Sequence, residues 1–323
     1  MRPARTTDAW PAATVGAVTD AIHVLHPREV PLGGVRSMNV RRTLPHRDRT
    51  LVGPWCFVDH YGPSAAAMDV APHPHCGLQT VTWLFEGEVE HRDSAGNVQT
   101  IRPGEVNLMT SGAGICHSEV STTTGLHGVQ LWIALPDATR DAGHEFDHFA
   151  TDSVVIPGSD GMATARVFIG SLAGADSPVT VHTPSVGAEI QLAAYSSIDL
   201  PVTPGFEHAV LLDSGSVSVD GIDLDHGDLA CIDPGTSSLR LTSGTESARI
   251  LLIGGEPLRE DIVMWWNFVA RDHDEIVAAR NAWEAHSDRF GAVTGYAGPV
   301  DRLPAPALPQ VHLKPRRARR SDS

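Results

Sequence analysis

Short apolar segments separated by glycine and proline turns dominate the middle of the chain. The turns recur about every ten residues, which is the rhythm of an all-β sandwich or barrel. The clearest apolar segments span residues 78–85, 129–135, 188–192, 209–212 and 249–253. The pattern therefore predicts many short strands and little helix.

One helix stands out against this background, over residues 273–285. Asp272 can cap its N-terminus, and Glu275 follows three residues later. Ile276, Ala279 and Trp283 recur at helical spacing and share one face.

A weak internal repeat divides the chain into two halves. Residues 84–89 and 212–217 each join an apolar strand to a second strand through a glycine, and a glycine–acid turn follows each copy at 103–105 and 226–228. Two related β-barrels in tandem, joined near residues 150–165, explain the repeat, and chance recurrence of glycine turns is the alternative. We expect a tail at 1–18, a first barrel at 19–155, a second at 156–290, and a Pro-rich, then basic, flexible tail at 291–323.

Net charge, cysteine spacing and the lengths of apolar runs restrict the partners and the cell compartment that we expect for this protein. The formal net charge is −15, which disfavours nucleic acid and membrane surfaces. The basic run near the C-terminus could contact an acidic partner or nucleic acid, but a solvated tail is favoured. The four cysteines form no CxxC pair, the N-terminus lacks a secretory h-region, and no apolar run reaches about 20 residues. We expect a cytoplasmic protein with reduced thiols.

Two His- and Glu-containing pairs carry the candidate chemistry. His73 and His75 are two residues apart, as are His117 and Glu119. Alternate residues of a strand point to the same face, so each pair can present two ligands together. Imidazoles with one carboxylate suit a first-row divalent metal, and four protein ligands of an octahedron leave two positions open for substrate or dioxygen. Partly buried structural histidines are the alternative.

The segments around these pairs resemble the pirin family. The run from His73 to Ser94 resembles its signature, and that from Pro103 to Glu119 resembles the second half. Supporting similarities lie at residues 40–45, 57–63, 265–270 and 274–276, so that the resemblance spans roughly residues 20–290. It implies two tandem cupin barrels with iron in the first, bound by His73, His75, His117 and Glu119. One divalent ion is therefore expected, Fe(II) first, with Mn, Ni, Cu or Zn as alternatives.

This chain departs from the family pattern at two positions. Cys76 stands where Arg is common, and Gln79 where Glu is common. We expect Cys76 to face away from the ligands, and Gln79 to share their face if Gly77 makes no bulge. Without a carboxylate at 79, catalysis would depend on Glu119 or on the metal.

The second barrel is expected to lack a metal. Aligning the glycines of the repeat places Pro201 and Thr203 at the positions of the first histidine pair, and Arg240 and Thr242 at those of the second pair. None is a good ligand. His208 and His226 of this barrel are interpreted as surface or turn residues.

Several other residues are open to two interpretations. Val81, Trp83 and Phe85 could line a substrate wall, although ordinary core is favoured. The Asp59-His60-Tyr61 run could relay protons, but a role in stabilising a helix or a turn is favoured. His91 lies on a polar hairpin and is expected to be exposed.

Three functions remain at this stage. The resemblance implies either a dioxygenase that cleaves flavonols of the quercetin type, with Glu119 taking a proton, or a redox-sensitive regulator that acts through a protein partner. A metal-free structural bicupin is the third. We favour the enzyme, acting as a monomer on a small aromatic substrate, because open metal positions are hard to explain in a structural site.

Overall fold

A computed structural model describes residues 22–32 and 38–316. The expected tail at 1–18 lies outside the described residues, as does the end of the basic run. Strands dominate the regular structure of the described chain, as predicted, and its one α-helix is α1 (His273–Glu284). Asp272 caps that helix by accepting a hydrogen bond from the Glu275 amide, which confirms the predicted start.

The strands of the N-terminal half are, in chain order, β1 (Ile22–Leu25), β2 (Arg28–Pro31), β3 (Asn39–Leu44), β4 (Trp55–Ser64), β5 (Asp69–His75), β6 (Leu78–Glu86), β7 (Val89–Asp93), β8 (Val98–Ile101), β9 (Glu105–Thr110), β10 (Ile115–Ser121), β11 (Leu126–Ala134) and β12 (Glu145–Ala150). All of them except β1 form two sheets, a seven-stranded one in the order β12-β9-β6-β11-β4-β3-β2 and a four-stranded one in the order β5-β10-β7-β8. These two sheets make the first barrel.

The remaining strands are β13 (Ser153–Val155), β14 (Ala163–Ile169), β15 (Ser171–Leu172), β16 (Ala175–Asp176), β17 (Ser185–Leu192), β18 (Ser197–Pro201), β19 (Glu207–Ser214), β20 (Val217–Val219), β21 (Ile222–Leu224), β22 (Leu229–Ile232), β23 (Ser238–Ser243), β24 (Ala248–Gly255), β25 (Val263–Trp265) and β26 (Phe268–Ala270). The second barrel repeats the plan of the first, with sheets ordered β1-β22-β19-β24-β17-β14-β13 and β18-β23-β20-β21. Two tandem cupin-type barrels are therefore confirmed.

One strand crosses between the barrels. β1 pairs with β22 in the second barrel, although the sequence assigns residues 19–155 to the first. Its Leu25 is buried among apolar residues of both barrels. The same apolar layer holds Trp83, which stacks on Phe168 at 4.7 Å between ring centroids and donates to Glu189. Val81 and Trp83 thus belong to the core between the barrels, as the favoured interpretation had it.

Up to Arg316, where the described residues end, the segment after the helix forms no further strand or helix, but it packs on the first barrel. The Leu303 amide donates to the Pro72 carbonyl, Trp283 donates to the Leu303 carbonyl, and Ala305 is buried. The sequence favours a flexible tail here, yet its apolar side chains cover the helix and the first barrel up to Arg316. Within the described ranges, no helix combines the length and apolar character needed to cross a membrane.

Candidate metal centre

Adjacent strands of the smaller sheet bring the two predicted pairs together. β5 and β10 run antiparallel, with His73 directly opposite His117 and His75 opposite Ile115. The rings of His73, His75 and His117 have centroids 4.4–5.0 Å apart, and one ligand-type atom from each lies within 4.8 Å of the others. The strand register alone therefore converges three imidazoles.

Glu119 joins this group through a local irregularity in β10. The register shifts between His117 and Glu119, so that Glu119 pairs with Val70. A ligand-type oxygen of Glu119 lies within 4.8 Å of atoms of His117 and His91. The Thr82 hydroxyl donates to Oε1 of Glu119 at 2.9 Å, which holds the carboxylate in place.

Burial sets the protonation of all four side chains. The three histidines and Glu119 are each at most 7% exposed. Burial lowers the pKa of His73 to about 4 and lowers those of His75 and His117 well below the usual range. Burial raises the pKa of Glu119. Neutral imidazoles with free lone pairs are what metal ligation requires.

The nitrogen atoms that lack partners point to a bound cation. His73 Nδ1 lies 2.9 Å from the Ala71 carbonyl, to which it can donate, so that its Nε2 keeps a free lone pair. Among the described residues, His117 Nε2 and His75 Nδ1 are buried without any hydrogen-bond partner. Unpaired buried polar atoms are rare in proteins, and a metal ion would satisfy them. The donor set fits a first-row divalent ion.

His91 is a member of the site that the sequence interpretation missed. It was expected to be exposed, but it is 2% exposed, and its Nδ1 lies 3.3 Å from Nδ1 of His117. Its Nε2 lies 3.2 Å from Asp93 Oδ2. The signal was present in β7, where Val89, His91 and Asp93 alternate with more exposed residues. Alternation marks a buried face even on a polar hairpin.

A cavity of about 430 Å³ opens beside the four predicted residues. Its wall includes several aromatic side chains, with Phe57 stacked on Trp132 at 4.0 Å between centroids, and it also includes Trp265 and Trp266. Tyr61 and Trp132 line this cavity, and the Tyr61 hydroxyl and Trp132 Nε1 are buried without a partner in the described part of the chain. The cavity thus combines a planar apolar surface with two polar groups available to a ligand.

The two departures from the family pattern lie outside this cavity's lining. Cys76 is buried in a separate apolar cluster with Phe268, as expected for a residue that faces away. Gln79 does not share the ligand face, because Gly77 has a φ of 72° and its Cβ position is blocked 2.1 Å from the Val269 carbonyl. Gln79 instead donates to Thr110 and to the Thr180 carbonyl.

The Asp59-His60-Tyr61 run is split between two environments. Asp59 lines the cavity and accepts two hydrogen bonds from Arg42, at 2.6 and 2.7 Å. His60 faces the second barrel and lies 2.8 Å from Oδ1 of Asp213. The run lies within β4, so the favoured role in stabilising a helix or a turn is wrong.

A second His-His-carboxylate group lies between the barrels. Nε2 of His60 and Nε2 of His127 lie 2.8 and 2.6 Å from the same Asp213 oxygen, which are hydrogen-bond distances. Arg249 donates to the other Asp213 oxygen at 2.6 Å, and its guanidinium faces His127 Nδ1 at 3.5 Å. A proton on each Nε2 satisfies this arrangement, so we interpret the group as a link between the barrels.

In the second barrel, the strands that correspond to β5 and β10 are β18 and β23. Their register places Asp199 opposite Arg240 and Pro201 opposite Ser238. Asp199 and Arg240 form an ion pair on the exposed face of this sheet, whereas His73 and His117 are buried, so Arg240 does not stand at the position of His117 as the sequence alignment predicted. The side chains buried in this barrel's core are apolar instead: Ile198, Leu200, Leu239 and Leu241.

Comparison with known proteins agrees with this architecture. Residues 35–133 match the pirin family, and residues 187–291 match the pirin C-terminal cupin domain. A Pseudomonas aeruginosa protein, provisionally named a quercetin 2,3-dioxygenase, is 41% identical over 289 residues, covering 87% of this chain and 89% of its own. A pirin-like protein of Caulobacter vibrioides is 36% identical, covering 77% of this chain and 89% of its own.

Solved structures show the same fold. A quercetin 2,3-dioxygenase from Acinetobacter baumannii is 39% identical, with a TM-score of 0.83, and the match covers 90% of this chain and 97% of that one. The bacterial pirin YhhW of Escherichia coli, crystallised with nickel(II), is 18% identical with a TM-score of 0.56, covering 73% of this chain and 99% of that one, and shares the fold. Two family matches and relatives of this identity confirm the resemblance read from the motifs, and the chain belongs to the pirin family.

Proposed function

We propose that this pirin is a metal-dependent dioxygenase that acts on a flavonol-like aromatic substrate, with Fe(II) held by His73, His75, His117 and Glu119. The observation that carries the proposal is the position of these four side chains beside an aromatic-walled cavity of about 430 Å³. The names of the Pseudomonas and Acinetobacter relatives, which refer to quercetin 2,3-dioxygenase, support the same reaction class.

The metal, when bound, would polarise a coordinated substrate oxygen and provide open positions for reactants. The chain's own residues orient the substrate and exclude water from the site. The stacked rings of Phe57 and Trp132 contribute aromatic surface to the cavity wall. The Tyr61 hydroxyl and Trp132 Nε1 can hydrogen-bond to substrate oxygens, and the aromatic wall excludes water from the reacting atoms.

Glu119 is the candidate proton acceptor. Thr82 donates to its Oε1, which leaves Oε2 to receive the proton of a flavonol hydroxyl. In the metal-free protein, burial raises the pKa of Glu119. In this role Glu119 is both ligand and catalytic residue, and the substrate is a small aromatic molecule.

The first experiment is elemental analysis of protein purified without chelator, followed by an anaerobic quercetin assay opened to oxygen. About one metal per chain with oxygen-dependent loss of flavonol absorbance supports the proposal. The double variant H73A/H117A should lose the metal, while H144Q, at an exposed histidine, should retain it. One metal without turnover would refute the enzyme and favour the regulator that acts through a protein partner.

A further inference from the structure

The second barrel repeats the first strand for strand, which allows positions to be compared. β24, β17 and β19 occupy the places that β11, β4 and β6 hold in the first barrel. In the first barrel, Trp132 lies opposite both Phe57 and Thr80. In the second, Gly254 lies opposite both Val186 and His208. Gly254 is therefore the counterpart of Trp132.

Gly254 has no indole, and His208 and Val186 pack into the space that a side chain there would take. A cavity of about 350 Å³ lies beside these two residues, within the range of small-molecule sites. Four buried residues line it, namely Leu172, Val186, His208 and Leu252. Exposed polar residues line the same cavity, which is open to solvent: Ser171, Asp176 and Thr203.

His208 is the unusual member of this lining. It was expected at the surface, but it is 1% exposed, and its Nδ1 is buried with no hydrogen-bond partner in the ranges that the structure describes. Its ring packs where a Cβ at residue 254 would stand, 2.8 Å from His208 Cδ2. His208 stands where the first barrel has Thr80. At this buried position its imidazole loses water contacts without gaining a protein partner. A ligand with a polar group can restore the missing bond.

The surroundings restrict what such a ligand can be. Burial lowers the pKa of His208 to about 4, so the ring is neutral near pH 7 and offers no charge to an anion. The Asp176 carboxylate and the net charge of −15 also oppose anions. Leu172, Val186 and Leu252 favour an apolar body. A hydroxyl group can donate or accept, and so can pair with either tautomer of the imidazole.

We propose that the second barrel binds a small neutral aromatic molecule with a hydroxyl group, a phenol, in this cavity, through a hydrogen bond to His208. The site is separate from the metal centre and does not depend on the proposed dioxygenase activity. Both barrels would then bind aromatic molecules of related structure. The first would bind its molecule beside the metal-ligand residues, and the second beside the imidazole of His208.

The probe is 4-bromophenol, whose bromine can be located by anomalous scattering in soaked crystals of the full chain. The proposal expects bromine in the cavity lined by Leu252, with the phenol oxygen within hydrogen-bond distance of a His208 nitrogen. Calorimetry on the same protein should give saturable binding. Bromobenzene, which lacks the hydroxyl, should bind about ten-fold more weakly.

Variants separate this site from the first barrel. H208L should weaken 4-bromophenol binding at this site about ten-fold, and T203W, at the exposed rim, should block the cavity without a change in the core. H226L, an exposed histidine of the same barrel, is the matched control and should bind normally. Three results would each overturn the proposal. These are bromine only in the first barrel, binding by H208L and T203W as tight as that of the parent, and binding at crystal concentration only.

Discussion

Nδ1 of His91 lies 3.3 Å from Nδ1 of His117, while Nε2 of His91 lies 3.2 Å from the carboxylate of Asp93. With a proton on Nε2 that is donated to Asp93, His91 accepts at Nδ1 from His117. That assignment places the lone pair of His117 on Nε2, the atom without a partner in the described chain. Asp93 and His91 thus fix the tautomer that metal ligation requires.

The variant H91F should weaken metal binding by about 10- to 100-fold, because His117 loses its acceptor while an aromatic ring still packs beside Phe146. Competition with a coloured chelator measures this affinity without any need for turnover. H144Q changes an exposed histidine and should bind metal as the parent does. An unchanged affinity in H91F would mean that His91 only fills space.

The contrast between the two ligand pairs and Gln79 shows which parts of the site could be predicted from the sequence. Ligand spacing within a strand is local, so the two pairs at His73 and His117 were predictable from alternation. The face of Gln79 depended on whether Gly77 bends the chain, and that bend follows from a close approach to Val269 in a distant strand. Contacts of this kind connect residues far apart in the chain, which spacing cannot reveal.

Asp213 is expected to contribute strongly to stability. It accepts hydrogen bonds from His60 and His127 of the first barrel and from Arg249 of its own barrel, and its side chain is fully buried. The substitution D213N should lower the free energy of unfolding by about 3 kcal/mol, because it leaves Arg249 without its countercharge. Urea denaturation followed by tryptophan fluorescence measures the change.

The control for this prediction is D223N, which alters an exposed aspartate of the same barrel. It should remain within about 0.5 kcal/mol of the parent. If D213N unfolded at the same urea concentration and with the same slope as D223N, the link between the barrels would carry no net stability.

Acid should destabilise the metal-free protein between about pH 6.5 and pH 4. Burial lowers the pKa of both His60 and His208 to about 4, whereas an unfolded chain has histidines near 6.5. In this window the unfolded state binds more protons than the folded state, so stability falls as pH falls. Each unit of pKa separation corresponds to about 1.4 kcal/mol.

Urea titrations at pH 7.5, 6 and 5 test this pH dependence. The variant H208L removes one of the buried neutral histidines, so its stability should fall less steeply with acid than that of the parent. Equal stability of the parent at all three pH values would contradict the assignment of buried neutral histidines.

A variant at Tyr61 tests whether the unpaired polar groups in the cavity beside the candidate metal ligands bind the substrate. It is buried, lines the cavity and has no hydrogen-bond partner among the described residues. If it donates to a substrate oxygen, Y61F should raise the KM for quercetin about ten-fold, because a neutral hydrogen bond is lost while the ring remains. Metal content should stay at the parent value, since Tyr61 is not among the candidate ligands. The exposed Tyr195 provides the matched variant, Y195F, which should leave both quantities unchanged. If Y61F had the KM and kcat of the parent, the hydroxyl would make no hydrogen bond to the substrate, and the aromatic wall alone would orient it.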